Sequence, residues 1–395
     1  MKKLIVLLLA AVISLSFAAC ANDNTVAKNP YEKYDQLIKL LENQDYQGAI
    51  AEIERIGNLT SPDTSNSGNL LGSEQGEVLE DTVAPSEDSN VISIHTAEEL
   101  FNTVYDSGIT YILENDLDLT GISSTIPEVY GIFDGNGKTI RNATAVLVQD
   151  NRGTIQNLII EDCYIITDCD SAILVVNNHG TVRDCTVSGS VEATAENIYA
   201  GGVACWNNGT IEDCVNYAQI TAVSYALNEL GNEIHGTFAC AGGISAYNRR
   251  GMISRCWNEG TISARDADYL SSCGGIVAIN TNGEIMDCYN TGAIIKPEGR
   301  GDSGGIAGNN EVNAKLVRCY NIGAASSGIC GDNRDYIIDC YYLSSASENG
   351  SGSGLNTEGE RFFAFTEGEL TVQETFSTFD FATIWKMSEN GPILQ

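Results

Sequence analysis

The sequence is short of the residues that most protein chemistry needs. It has three histidines, His95, His179 and His235, and its thirteen cysteines include no C-x2-C pair. A metal needs ligands converging from such short spacings, so no metal or cofactor is expected. Basic residues are also scarce: Lys+Arg number 21 against 53 Asp+Glu, a formal charge of −32. That balance argues against gripping nucleic acid or anionic lipid through bulk electrostatics and suits a soluble surface protein. Beyond the N-terminus no apolar run is long enough to span a membrane.

The first residues read as an export signal. Lys2 and Lys3 precede the apolar run LIVLLLAAVISLSF, and the small residues Ala18 and Ala19 precede Cys20. Phe-Ala-Ala-Cys resembles a bacterial lipobox, with Phe17 where Leu is usual. It implies a signal peptide over 1–19 and lipidation of Cys20, holding the protein on the outer face of a membrane. The alternative is an ordinary secretory signal. Within 20–57, residues 30–57 carry two amphipathic periods, Tyr34, Leu37, Ile38 and Leu41, then Tyr46, Ala49, Ile50, Ile53 and Ile56. They resemble one tetratricopeptide-type helical hairpin, too small to bury much surface alone. Residues 58–90 are Ser-, Asn-, Gly-, Asp- and Glu-rich without apolar period, which predicts a disordered acidic linker. As a flexible coil it would span on the order of 30 Å.

From Val91 the texture changes. Thr96 and Glu99 form a capping box ahead of Leu100 and Val104. ITYILENDLDLTG reads as strand, and Gly135 and Gly137 mark a tight turn. Residues 91–145 are expected to be an N-terminal cap and first rungs, 146–345 a repeat region, and 346–395 a C-terminal cap, where Thr366 and Glu369 repeat the capping box.

The repeat is a frame such as EIMDCYNTGAI at 284–294, also seen at 210–220, 252–262 and 315–325 and, degraded, around Cys185 and Cys340. Each full unit has three short apolar pieces between turn residues. Such strands bury a core only when stacked. This predicts an all-β fold, a right-handed parallel β-helix with three-strand rungs, preceded by the α-helical hairpin and capped at both ends. The frame cysteines Cys185, Cys214, Cys256, Cys288, Cys319 and Cys340 are 21 to 42 residues apart. A rung has a fixed perimeter, so the surplus is expected to leave as loops within 222–243 and 264–275, natural places for function.

An aliphatic stands three residues before each frame cysteine: Val182, Ile211, Ile253, Ile285, Leu316 and Ile337. With a corner between them both can face inward, and the cysteines would form one internal column, small and readily buried. Disulfides between adjacent rungs are the alternative. Cys240 and Cys273 are read as a second, smaller column continued by Ser303. Before each frame cysteine come Asp184, Asp213, Arg255, Asp287, Arg318 and Asp339, whose signs alternate from Asp213 onward, as an inter-rung ion-pair ladder would require. Asp184 beside Asp213 is the one like-charged step, the only candidate for an acid dyad or a calcium site. After the cysteines come Trp257, Tyr289, Tyr320 and Tyr341, which would point outward as a stripe able to stack on sugar or protein. The alternative is a ladder that stiffens the sheet under shielding loops.

GGIAGNN at 304–310, and more loosely GGVACWN, GGISAYN and GGIVAIN, resemble the GLUG-motif family of bacterial surface proteins. FDGNGKTI at 133–140 resembles the first rung of such domains and FDFATIWKMSENGPILQ their C-terminal cap, with Trp385 and Pro392 in place. The resemblance implies a parallel β-helix on a cell surface, often adhesin-like, and no catalytic residues. Some members carry a metalloprotease; no H-E-x-x-H occurs here. GRGDS at 299–303 contains the Arg-Gly-Asp that integrins read, making Arg300 and Asp302 further candidate binding residues.

The expected function is a lipid-anchored cell-surface module that binds carbohydrate or a surface or host protein without catalysis. A polysaccharide-active lyase or glycoside hydrolase is the alternative, since β-helices host both.

Overall fold

Thr181, Thr210, Met252, Glu284, Lys315 and Tyr336 stand side by side in one parallel ladder. Residues 21 to 42 apart in sequence are thus neighbours in space, and the chain is a parallel β-helix. A computed structural model describes residues 90–225, 237–265, 270–295, 301–354 and 361–395. The chain divides into two units between Pro85 and Ser86, and the described residues all belong to the second. The signal segment, Cys20, the 30–57 hairpin, nearly all of the linker, the loop segments 226–236 and 266–269, and Arg300 lie outside the described residues. Among those described, every strand pair is parallel except Trp385–Ser388 with Gly391–Leu394.

Three sheets run along the coil. The corner between two of them explains the cysteine frame. Asp184, Asp213, Arg255, Asp287, Arg318 and Asp339 all have φ between 49° and 56°. This left-handed conformation turns the chain so that the aliphatic three before each cysteine and the cysteine itself both face inward; all twelve of these side chains are buried. Asp and Asn tolerate that conformation better than most residues, Arg less so.

Cysteine does more there than fill space. The corner interrupts the sheet ladder, and the amides of Cys214, Cys256 and Cys319 donate to the sulfurs of Cys256, Cys288 and Cys340 in the next rung, at 3.4–3.5 Å. Each thiol in turn donates to the carbonyl two residues back, for instance Cys256 to Ser254 at 3.2 Å and Cys288 to Met286 at 3.2 Å. Every cysteine among the described residues carries a free thiol.

Two internal asparagine ladders brace the same coil. Asn216, Asn258, Asn290 and Asn321 pass hydrogen bonds from rung to rung at 2.7 Å. Asn151, Asn178, Asn207, Asn248, Asn280, Asn310 and Asn333 do the same at 2.8–3.0 Å. All eleven are buried. The Gly-Gly pairs belong to this scheme. A Cβ on Gly243 would lie 2.6 Å from Asn258 and one on Gly275 2.4 Å from Asn290, while the preceding Gly242 would strike the Ser245 carbonyl at 1.9 Å. The first glycine allows a sharp kink, and the second lets the asparagine pack against the backbone.

That kink adds to the three-strand rung. The strands Ile132–Asp134 and Thr154–Gln156 are one short turn apart. Longer rungs add an arm: Asn197–Gly201, Phe238–Gly242, Leu270–Gly274 and Gly301–Gly304. These pair with one another and join the second arm through the continuous strand Ser327–Asn333. Much of the surplus expected to leave as loops is therefore an additional strand per rung. A second correction follows from register: Cys240 pairs with Ser272, and Ala241 with Cys273. Cys273 and Ser303 share a column, but Cys240 lies one residue off it, on the opposite face.

Both ends are closed. Thr96 Oγ1 accepts from the Glu99 amide at 3.1 Å, and Glu99 accepts from the Thr96 amide at 3.2 Å, starting the helix Ala97–Asn102. Tyr105 packs on Tyr111 and Phe133 to fill the end of the barrel. At the other end the coil continues past residue 346, through strands Asn349–Gly354 and Phe362–Phe365. The remaining residues form the cap.

A half-buried aromatic cleft as the candidate functional site

The expected aromatic stripe is covered. Trp257, Tyr289 and Tyr320 do stack outside the corner, with ring centroids 5.6 and 5.1 Å apart and planes within 8°. The C-terminal cap lies over them. Phe376, Phe379 and Trp385 pack on Tyr289, Tyr320 and Tyr341. The Tyr320 hydroxyl donates to the Pro392 carbonyl, and Tyr341 shares a hydrogen bond with Thr378 at 3.2 Å. Tyr289, Tyr320 and Tyr341 are buried, which removes three of the four expected stripe residues from contact with a ligand, and Trp257, at the edge, is half-buried. The cause is apolar: a row of rings on the outside of a coil attracts cover from the first chain segment able to reach it.

The charged column is an ion-pair ladder, each Arg held by the Asp of the rung before. Arg255 grips Asp213 at 2.8 and 2.6 Å and also reaches Glu212 at 2.9 Å. Arg318 grips Asp287 at 2.8 and 2.6 Å, and Arg361 reaches Asp339 at 2.9 Å. Asp287 also accepts from the Trp385 indole at 3.3 Å, tying ladder to cap. Asp184 is exposed; its carboxyl is pushed up by desolvation and by the Asp213 charge. With Asp213 engaged by Arg255, the pair is no free dyad. Among the described residues no group of three or more His, Cys, Asp or Glu is placed to hold a metal ion. Asp302 lies within the strand Gly301–Gly304, half-buried and paired in register with Ser272. It is not at the apex of a projecting loop.

The site that the frame did not disclose lies at the kink. Because the two arms fold toward the outside, side chains pointing outward from each arm meet. Tyr199 on the first arm packs on Trp206 of the second at 4.5 Å. Trp206 stacks on Tyr247 of the next rung at 5.0 Å and 26°. Phe238 and Tyr247 close on Tyr199 at 5.1 and 5.9 Å. The floor beneath is a small apolar cluster, Ala172, Val176, Cys205 and Ala246, separate from the interior core. All four aromatic rings are half-buried. Each residue keeps part of its surface in solvent, a state in which a ring held in position can still contact a ligand. Farther along, Gly308 faces Ser272 so closely that a Cβ would meet its Oγ at 2.1 Å, so the cleft narrows to backbone.

Asp170 fixes the indole. Its two oxygens accept from the Tyr199 amide at 3.0 Å and from Trp206 Nε1 at 3.1 Å. Burial pushes the Asp170 carboxyl above the usual range, and the two hydrogen bonds oppose the rise. The Tyr247 hydroxyl shares a hydrogen bond with Thr281 Oγ1 at 3.1 Å, and Thr281 also donates to Glu311 at 2.6 Å. The rings are thus held from behind by polar partners. A sequence signal existed: GGVACWNNG and GGISAYNRR both place an aromatic just before the ladder asparagine.

No family model matches the chain, and no curated protein matches it. Among solved structures it is similar to a "putative immunoglobulin A1 protease" from Bacteroides ovatus, with 19% identity, 77% of this chain and 91% of that chain covered, and a TM-score of 0.45.

Proposed function

We propose that this is a lipid-anchored cell-surface protein whose β-helix binds carbohydrate through the kink cleft without catalysis. The observation that carries the reading is the fixed, half-exposed stack of Tyr199, Trp206 and Tyr247. Aromatic faces held rigid by second partners take sugar rings at low entropic cost. The GLUG-type glycine pairs and the lipobox-like Phe-Ala-Ala-Cys20 support the surface placement. The polysaccharide-cleaving alternative is weakened by its acids: Asp213 is engaged by Arg255, and both Asp170 oxygens are spent on positioning Tyr199 and Trp206.

The test is retention of the full chain on an array of neutral and acidic glycans, with size analysis of each bound polymer. Expected is Trp206-dependent retention with polymer length unchanged; shortened polymer, or retention equal in Trp206→Ala, would contradict the reading. Intact-mass analysis of membrane-extracted protein, looking for a diacylglyceryl group on Cys20, tests the anchor separately.

A further inference from the structure

The lip of the cleft carries an unusual charge. Thirteen lysines and arginines fall among the described residues. Nine of them reach a carboxylate within 4.0 Å. The neighbours Arg249 and Arg250 do not, and both are exposed. In a chain of net charge −32 two adjacent guanidiniums with no carboxylate within 4.0 Å among the described residues stand out, and Arg249 lies on the strand that carries Tyr247.

Their placement follows from the strand. Tyr247 and Arg249 are two apart on Ser245–Arg249, and Asn248 between them points into the inner ladder. Tyr247 and Arg249 therefore share the outer face. Arg249 is the register partner of Thr281, whose hydroxyl meets that of Tyr247. Arg250 follows at the turn with φ 62°. Among the described residues the carboxylates about this row are Glu311, occupied by Thr281 Oγ1 at 2.6 Å, Asp170, turned to the Trp206 indole, Asp302, two rungs on in the Tyr199 column, and Asp332, three rungs on in the Tyr247 column and held by Arg334 at 2.8 Å. Asp150, two rungs back in the Trp206 column, lies away from the arginines.

We infer that the cleft selects an anionic glycan: a sugar ring stacks on Trp206 and Tyr247 while its carboxylate or sulfate is held by Arg249 and Arg250. This rests on the carbohydrate-binding reading above and adds the ligand's charge. Guanidinium forks match carboxylate and sulfate oxygens two at a time. The net negative charge does not forbid the contact, because exposed charges more than about 8 Å away are screened at physiological salt.

The experiment measures affinity of the full chain for oligomers of galacturonic acid, of carrageenan (a sulfated galactan without carboxylate) and of neutral galactan. Variants are Trp206→Ala, Arg249→Gln/Arg250→Gln and Arg249→Lys/Arg250→Lys, with the thermal midpoint as the folding control. Expected is at least tenfold tighter binding of one acidic oligomer than of galactan. The glutamine pair should lose that advantage, the lysine pair should recover part of it, and Trp206→Ala should lose all binding. Which acidic oligomer is preferred distinguishes carboxylate from sulfate. Galactan bound as tightly as the acidic oligomers, or a glutamine pair with no effect, overturns the charge selection and leaves carbohydrate binding standing. No Trp206-dependent retention of any oligomer overturns both.

Discussion

At the corner of each rung a single cysteine satisfies two demands at once. It fills an internal site and gives a backbone amide an acceptor where the left-handed residue has broken the ladder. In Cys256→Ala the sulfur that receives the Cys214 amide is gone, and leaving a buried amide unpaired costs about 1–3 kcal/mol. A lost cavity contact adds to this, so a measured loss below about 1 kcal/mol in denaturant unfolding would argue that the sulfur is only filler. Burial also pushes thiols up, Cys163 to about 12 and Cys214, Cys288 and Cys340 well above the ordinary value. Thiolate is the reactive form, so these thiols are expected to resist iodoacetamide at neutral pH until the protein unfolds, as read by peptide mass spectrometry. The spacing of aliphatic and cysteine revealed the inward column. The hydrogen bonding was hidden, because a left-handed φ leaves only a faint trace in composition, and here Arg255 and Arg318 blur even the Asp/Asn preference. At the cleft, Asp170 has a raised carboxyl. Its folded form takes up a proton more readily than the unfolded chain does. The associated stability is present at acid pH and lost as pH rises through the raised value. Because that carboxylate accepts from the Trp206 indole, indole emission is expected to change with a midpoint above the ordinary aspartate range, and Asp170→Asn to abolish the change.

The C-terminal cap is the element that separates structural from binding aromatics. Trp385 is fully buried, stacks on Phe379 at 4.6 Å, contacts Tyr289 and Tyr320, and reaches Asp287. Trp385→Ala is expected to cost about 3–5 kcal/mol and to expose residues 366–395 to protease while the rungs before Trp257 keep their hydrogen-exchange protection. Simultaneous loss of protection along the whole coil would show that the cap is not a local closure. The sequence placed Trp385 and Pro392 in a cap but not over the stripe: Tyr289 and Trp385 lie nearly a hundred residues apart, and alternation along one strand says only which way a ring points, never what comes to cover it. The same limit hid the cleft. An outward ring on each of two arms reads as two exposed residues until the Gly-Gly kink folds the arms together.

Across the whole coil, stability is a sum of rung-to-rung terms, and most of those terms are identical from one repeat to the next: an aliphatic, a thiol, two asparagines and a glycine pair. Variation is concentrated where the additional arm stands, between Asn197 and Gly304, and that is also where the half-buried rings and the exposed Arg249 and Arg250 gather. Uniform rungs make the scaffold, and departures from uniformity make the site. Trp206 and Tyr289 divide that statement most sharply, since both are aromatics stacked on a neighbour in the next rung. The deciding measurement is the glycan dissociation constant of Trp206→Ala and of Tyr289→Ala, each with its thermal midpoint. Trp206→Ala should lose binding while its midpoint stays near that of the parent, and Tyr289→Ala should lower the midpoint while the remaining folded protein binds as before. Binding lost in Tyr289→Ala and kept in Trp206→Ala would place the ligand on the covered stripe and contradict the assignment.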